Sequence, residues 1–249
     1  MPVTVGIGAL TDPAKVRESI RGAPAGVRMV CFGPPGLQAV LGDVCTVIES
    51  ADPGSALVSA LAAGEIDAAV RGTLPASSTL GALKKACGVD SLVRIALLET
   101  ADGRLFFLAP VGVDEGWTVA QKIDLVERGR NLARRFGLPD SVAVLSGGRY
   151  GDIGRHPAVD RSLADAELVA RLAGAEHTEI LIEDAVRRFG VIVAPDGISG
   201  NLIFRTLTFL GAGIGHGAPV VNTDKIFVDT SRASPNYTKA ILLAESLAK

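Results

Sequence analysis

What most limits the fold of this chain is a repeated alternation. Short, almost wholly apolar runs, each closed by glycine or a polar turn, are separated by segments of helical length. VTVGIGA (3–9), VRMVCFG (27–33), TVIES (46–50) and DAAVRG (67–72) read as strands. Asp12-Pro13 opens a helix that ends near Gly22, Pro53 starts another running to Gly64, and a third covers 78–86. Strands that are apolar at nearly every position are buried on both faces, as in parallel sheets. Strand–helix repetition therefore predicts an α/β fold with mostly parallel sheets.

The rhythm changes after residue 92. VRIALLET (93–100) and RLFFLAP (104–110) are joined by Ala101-Asp102-Gly103, a hairpin signal. Thr118 and Gln121 have capping-box spacing for a long helix ending at Phe136, before Gly137 and Pro139. A second alternating set follows: strand SVAVLSGG (141–148), a helix over 160–173, strand EILIED (179–184), a short helix, and strand VIVAPD (191–196). FLGAGIGHG (209–217) reads as a helix-terminating turn rather than a nucleoside-binding glycine loop, because it comes late and follows a helix. Strand KIFVDT (225–230) and the final helix are expected to return to the first domain. The hairpin marks the expected boundary, giving one α/β domain over 1–113 plus 220–249 and a second over 114–219.

At 249 residues the chain can bury an ample core. Its 25 basic and 27 acidic residues leave a formal charge of −2, and no basic patch is interleaved with aromatics, which argues against nucleic acid as a partner. No apolar run reaches membrane-spanning length and no basic stretch leads into an apolar one at the N-terminus, so a cytoplasmic protein without membrane contact is expected. Cys31, Cys45 and Cys87 are scattered, which fits reduced, packed thiols. His156, His177 and His216 lack ligand spacing, so no metal site is expected.

Ligands of open parallel sheets bind beyond the carboxyl ends of strands. That rule selects four turns as a site for a small anion. Arg71 and Thr73 follow one strand, and the Arg71 guanidinium either pairs with a phosphate or is a surface arginine. Ser146, Gly147 and Arg149 belong to a glycine loop that reads either as a backbone nest for an anion or as a connector. Asp196, Ser199, Gly200 and Asn201 open a helix, with Asp196 as a base or as a helix-start carboxylate. Thr230, Ser231 and Arg232 form the last turn, with Ser234 as N-cap and Pro235 as first helical residue. Placed at a helix start, Arg232 would stabilise charge developing on a carbonyl or phosphoryl oxygen, with Ser231 donating a hydrogen bond. Asp229 either orients Arg232 or closes the strand.

Two of these turns carry a resemblance. Pro195-Asp196-Gly197-Ile198-Ser199-Gly200-Asn201 and Asp229-Thr230-Ser231-Arg232 resemble the P-D-x-x-x-G-N and D-x-S-R turns of the phosphate acetyltransferase and butyryltransferase superfamily. The likeness covers roughly residues 65 to 249, and within that superfamily the chain looks most like the methanogenesis marker protein 4 (MtxX) group, which carries a methyltransferase label. The resemblance implies the two-domain fold of isocitrate and isopropylmalate dehydrogenases with an interdomain cleft, and a homodimer. It also implies direct acyl transfer between a coenzyme A thiol and phosphate, with coenzyme A or a similar thiol carrier as substrate and no tightly bound cofactor. Ser231 and Arg232 would then be catalytic, meeting the reacting carbonyl and phosphate, and Asn201 would line the cleft. Two further readings are a methyltransferase linked to methanogenesis and a non-catalytic ligand-binding relative. Superfamily enzymes carry an acidic residue several positions past the S-R pair, whereas 234–238 here read Ser-Pro-Asn-Tyr-Thr, and a missing base slows attack by a thiol.

Overall fold

The computed structural model describes residues 2–249. The chain divides into two compact units: the stretch up to Leu92 together with His216–Lys249, and Val93–Gly215. In the first unit β1 (Thr4–Gly8), α1 (Pro13–Arg21), β2 (Arg28–Gly33), α2 (Gln38–Leu41), β3 (Thr46–Glu49), α3 (Pro53–Ala63), β4 (Ala68–Val70) and α4 (Ala76–Cys87) follow the expected alternation. Asp12 and Asp52 cap α1 and α3, each accepting a backbone N–H, and each is followed by proline at the first helical position.

The second unit holds β5 (Ala96–Glu99), β6 (Leu105–Ala109), α5 (Val119–Arg135), β7 (Val142–Val144), α6 (Pro157–Ala173), β8 (Glu176–His177), α7 (Ile182–Arg188), β9 (Val191–Val193) and α8 (Gly197–Phe209). The chain then returns through β10 (Ile214–Pro219), β11 (Ile226–Asp229) and α9 (Thr238–Ala248).

The first unit's strands lie in the order β3-β2-β1-β4-β11-β10, parallel except that β10 runs against β11. From β1 the chain winds outward through β2 and β3, then crosses back to β4 on the other side of β1. The switch point lies between β1 and β4, where sheets of this kind open a crevice. Leu57, Leu61, Leu74, Leu83 and Phe227 are buried in the core beside these strands. In the second unit the order is β5-β6-β9-β7-β8, with β5 and β6 antiparallel and the rest parallel. Val142–Val144 and Val191–Val193 are buried at every position, as strands covered on both faces require.

Four expectations need correction. The hairpin β5–β6 belongs to the second unit instead of closing the first, because β6 pairs in register with β9 (Phe107 with Val191, Ala109 with Val193). EILIED is not a strand. The pairing stretch is Glu176–His177, Glu179 turns the chain with a left-handed φ of 57°, and Ile182 begins α7. Glu183 and Asp184 in that helix's first turn and Arg187 and Arg188 in its last complement the helix dipole. Gly215 and Gly217 lie in strand β10, which the glycine content hides. Finally, α9 starts at Thr238. Ser234 and Pro235 sit in a closed turn, with Ser234 N donating to Ser231 O at 3.1 Å.

Among the described residues no helix is long and apolar enough to cross a membrane. All three cysteines are free thiols, with Cys31 buried. A hydrogen bond shared with Cys45, together with burial, pushes the Cys31 thiol up.

Candidate functional site

In the first unit three parallel strands, β1, β4 and β11, end at the same edge, and their following turns are knitted together. Arg71, just past β4, is 5% exposed. Its Nε donates to the Asp229 carboxylate, Nη1 to the carbonyl of Leu74 and Nη2 to the carbonyl of Thr230. The Thr230 hydroxyl in turn donates to the carbonyl of Gly72 at 3.1 Å. The expectation that Arg71 holds a phosphate is thereby corrected: its planar fork is engaged from inside, where it clamps the D-x-S-R turn to β4. Asp229 serves Arg71 and caps Thr230 N at 2.8 Å. Thr73, also expected to bind ligand, is 1% exposed, and its hydroxyl oxygen accepts from Leu10 N and Thr11 N, tying down the loop after β1.

Beyond this clamp the turn presents Ser231 and Arg232. The Ser231 oxygen accepts from Ala233 N at 3.2 Å, which leaves its hydrogen free to donate outward. Lys15 from α1 donates to the carbonyls of Arg232 and Ser234 at 2.8 and 3.2 Å, fixing the turn from a second side. The exposed guanidinium of Arg232 makes no hydrogen bond or ion pair among the described residues. Because α9 begins at Thr238, Arg232 lies outside that helix and the helix dipole does not act at its position.

Sequence reasoning missed Tyr237 here. It is 1% exposed, and among the described residues its buried hydroxyl has no hydrogen-bond partner. Desolvation pushes its pKa up to about 12, opposed by the charges of Arg71 and Arg232 and reinforced by Asp12. The hydroxyl therefore stays protonated, with Asp12 as a neighbouring carboxylate. An aromatic beside a polar turn reads as ordinary core, so nothing in the sequence marks it.

In the second unit the P-D-x-x-x-G-N turn is built for packing. Asp196 caps α8, accepting from Ser199 N at 2.8 Å and Ser199 Oγ at 3.0 Å. Of the two roles read from sequence, this is the helix-start carboxylate. A side chain on Gly197 would meet the carbonyl of Gly112 at 1.6 Å, and one on Gly200 that of Pro110 at 1.9 Å. Only glycine lets this helix start lie so close to the segment after β6. Asn201 donates to the carbonyl of Val111 at 2.9 Å, completing the same joint. Lys122 of α5 is buried nearby, and desolvation depresses its pKa against the opposing pull of Asp165 and Asp196.

The loop after β7 does not form an open anion nest. Gly147 N donates to Ser162 Oγ, Arg149 N to Asp152 and Tyr150 N to Glu179, so three of its amides are already used. Arg149 is exposed, whereas Ser146 is 1% exposed and its hydroxyl lies 2.8 Å from His177 Nε2. Among the described residues no group of three or more His, Cys, Asp or Glu side chains is placed to hold a metal ion.

No protein-family model matches the chain. Individual proteins do. Over 212 residues it is 52% identical to a Methanosarcina mazei protein named "Putative methyltransferase mtx subunit X", covering 83% of this chain and 76% of that one. The Methanosarcina barkeri protein of the same name is 51% identical over 212 residues, covering 83% and 78%. Among solved structures, a branched-chain phosphotransacylase from Enterococcus faecalis superposes with a TM-score of 0.77 at 19% identity, covering 99% of both chains. A phosphotransacetylase from Streptococcus pyogenes gives 0.69 at 18% identity, covering 99% of this chain and 94% of that one. At such low identity the structural likeness speaks for the fold alone: an α/β fold of the phosphotransacylase type. The sequence identity speaks for kinship, and this chain belongs to the mtx subunit X family.

Proposed function

We propose that this protein is a transferase working at the Ser231-Arg232 turn, moving an acyl group between a coenzyme A or similar thioester and inorganic phosphate. The observation that carries this reading is the contrast between two arginines. Arg71 is spent inside, holding the turn rigid, while the Arg232 guanidinium at its tip has no internal partner. The clamp fixes the backbone from which Arg232 projects, so its unpaired guanidinium is held within reach of a substrate charge developing beside the turn.

In the forward direction a phosphate oxygen attacks the thioester carbonyl, the C–S bond breaks, and acyl phosphate and thiolate leave. Arg232 pairs with the phosphate or the tetrahedral oxyanion, and the Ser231 hydroxyl donates to the same oxygen. Asp12 is the carboxylate available to take the thiol proton in the reverse direction. One preorganised donor of this kind contributes roughly 3–4 kcal/mol, or about 10²–10³ in rate.

The test is release of free thiol from acetyl- or butyryl-coenzyme A on adding phosphate. Wild type turns over, and Arg232→Ala lowers kcat/KM by about two to three orders of magnitude. Phosphate binding without thiol release would favour a non-catalytic relative. The name carried by the Methanosarcina relatives supports one other reading, methyl transfer, in which calorimetry would detect binding of a methylated corrinoid, a pterin or a nucleosylmethionine and no acyl exchange would occur.

A further inference from the structure

The second unit contains an arrangement that the acyl-exchange reading does not use. Ser146 lies just past the carboxyl end of β7, His177 on the neighbouring strand β8, and Glu167 on α6. Ser146 Oγ is 2.8 Å from His177 Nε2, and His177 Nδ1 is 3.1 Å from Glu167 Oε2. Tyr150 OH is 2.8 Å from the same carboxylate oxygen and 3.0 Å from Nδ1. The imidazole side chain is 3% exposed, while that of Glu167 is 60% exposed, so the chain of contacts runs from the surface into the unit.

The relay calls for one tautomer of His177. Tyr150 has one proton, and its nearest acceptor is the Glu167 carboxylate. Hydrogen bonds from Tyr150 first, then His177, hold that carboxyl below its usual range. With Nδ1 carrying the imidazole proton and donating it toward Glu167, Nε2 is left as an acceptor facing the Ser146 hydroxyl. That hydroxyl can otherwise donate to the carbonyl of Gly148 at 2.9 Å.

Two more observations complete the geometry. The Gly148 N–H, two residues past the serine, has no acceptor among the described residues. Glu179 is held at a left-handed φ of 57°, and from there its carbonyl accepts from Ser146 N at 2.9 Å and its carboxylate from Tyr150 N at 2.6 Å. A non-glycine residue in this conformation is retained only where surrounding contacts dictate it, and such positions cluster at functional sites.

We propose that Ser146, His177 and Glu167 form a nucleophilic relay that accepts an acyl group from an activated ester or thioester, giving the protein a hydrolytic activity separate from exchange at Arg232. Ser146 Oγ bonds to the acyl carbon while its proton passes to His177 Nε2, and the oxyanion takes the Gly148 N–H. The carbon–sulfur bond then breaks and the thiolate leaves with the proton from Nε2. Water attacks the resulting serine ester and gives one proton to Nε2; the bond to Ser146 Oγ then breaks, the carboxylic acid leaves, and Nε2 returns that proton to Oγ. Glu167 is a positioning residue that fixes the tautomer. Ser146 is buried, so the loop must yield for an acyl carbon to reach Oγ, and Gly147 and Gly148 carry no side chains to unpack.

The experiment treats the full chain with p-nitrophenyl acetate and, separately, with a small fluorophosphonate, followed by intact-mass and peptide mapping. One adduct on Ser146 is expected, absent in Ser146→Ala and formed at least about a hundredfold more slowly in His177→Ala. In 15N NMR of labelled histidine the wild-type proton resides on Nδ1. Glu167→Gln gives mixed tautomers and slower labelling, and Glu167→Asp restores both. No adduct, an adduct elsewhere, equal labelling of Ser146→Ala or a proton on Nε2 in wild type overturns the relay. Arg232→Ala keeps the adduct while losing acyl exchange, so failure of either activity is distinguishable from failure of the other.

Discussion

Replacing Arg71 by methionine separates an internal clamp from a ligand contact. Methionine fills similar volume but removes the guanidinium that pairs with the Asp229 carboxylate, whose side chain is 12% exposed. The carbonyls of Leu74 and Thr230 also lose a donor. Breaking one side of a buried pair costs about 3–5 kcal/mol. At ~2–4 °C per kcal/mol for a chain of this size, the first unit's melting temperature should fall by roughly 6–20 °C. Removing both charges is far milder, because a buried pair replaced by apolar residues is often close to neutral. Arg71→Met/Asp229→Leu should therefore recover much of the loss, giving a strongly non-additive double-mutant cycle. Differential scanning calorimetry of the four proteins, with phosphate titrated into each, supplies the numbers. Were Arg71→Met to melt like wild type yet fail to bind phosphate, the guanidinium would be a ligand contact and the clamp would be refuted.

Gly200→Ala should lose at least about 1–3 kcal/mol in urea unfolding, because its new methyl meets the Pro110 carbonyl at 1.9 Å; an unchanged midpoint would contradict the close packing of α8. Thr118→Ala removes one half of a complete capping box on α5 and should lower stability by ~1 kcal/mol, read from the same transition. Tyr237 has a folded-state pKa raised from 10.0 to about 12, so the folded state holds that proton more tightly. Its contribution is fully present below pH 10 and fades as pH rises toward 12, by up to roughly 3 kcal/mol, a slope that Tyr237→Phe should abolish in pH-dependent denaturation. Because the hydroxyl has no partner, Tyr237→Phe at pH 7 should leave stability unchanged or raise it by up to about 1–3 kcal/mol.

The architecture was legible because it is written in local signals. Asp12-Pro13, Asp52-Pro53 and Thr118-Gln121 set helix starts through contacts spanning three residues, and runs such as VAV (142–144) are apolar at each position. Strand β10 is hidden in the sequence because Gly215, His216 and Gly217 bring almost no strand propensity, and its place comes from pairing with β11. Ser234-Pro235 satisfies local capping rules and so points to too early a start for α9, while the turn is set by Lys15, more than two hundred residues earlier. Arg71 has the residue type and position of a phosphate ligand, and only its pairing with Asp229, 158 residues away, reveals the clamp. The same applies to Ser146 and His177, which parallel pairing of β7 and β8 brings together across 31 residues. Signals that act within one helical turn are readable, whereas polar partners joined by the sheet are not.

The placement of β11 has a consequence for synthesis. It occupies an interior position of the first unit's sheet, between β4 and β10, yet in chain order it follows the whole of the second unit. Until then β4 has an open flank, a three-residue Ala-Ala-Val edge of the kind that recruits stray strands. Residues 93–215 form a continuous unit and can condense while the ribosome is still working, whereas the earlier segment must wait for residues 216–249. A nascent chain stalled before residue 226 would carry one finished half and one unfinished, sticky half, and the Ser231-Arg232 turn would appear only as that second half closes.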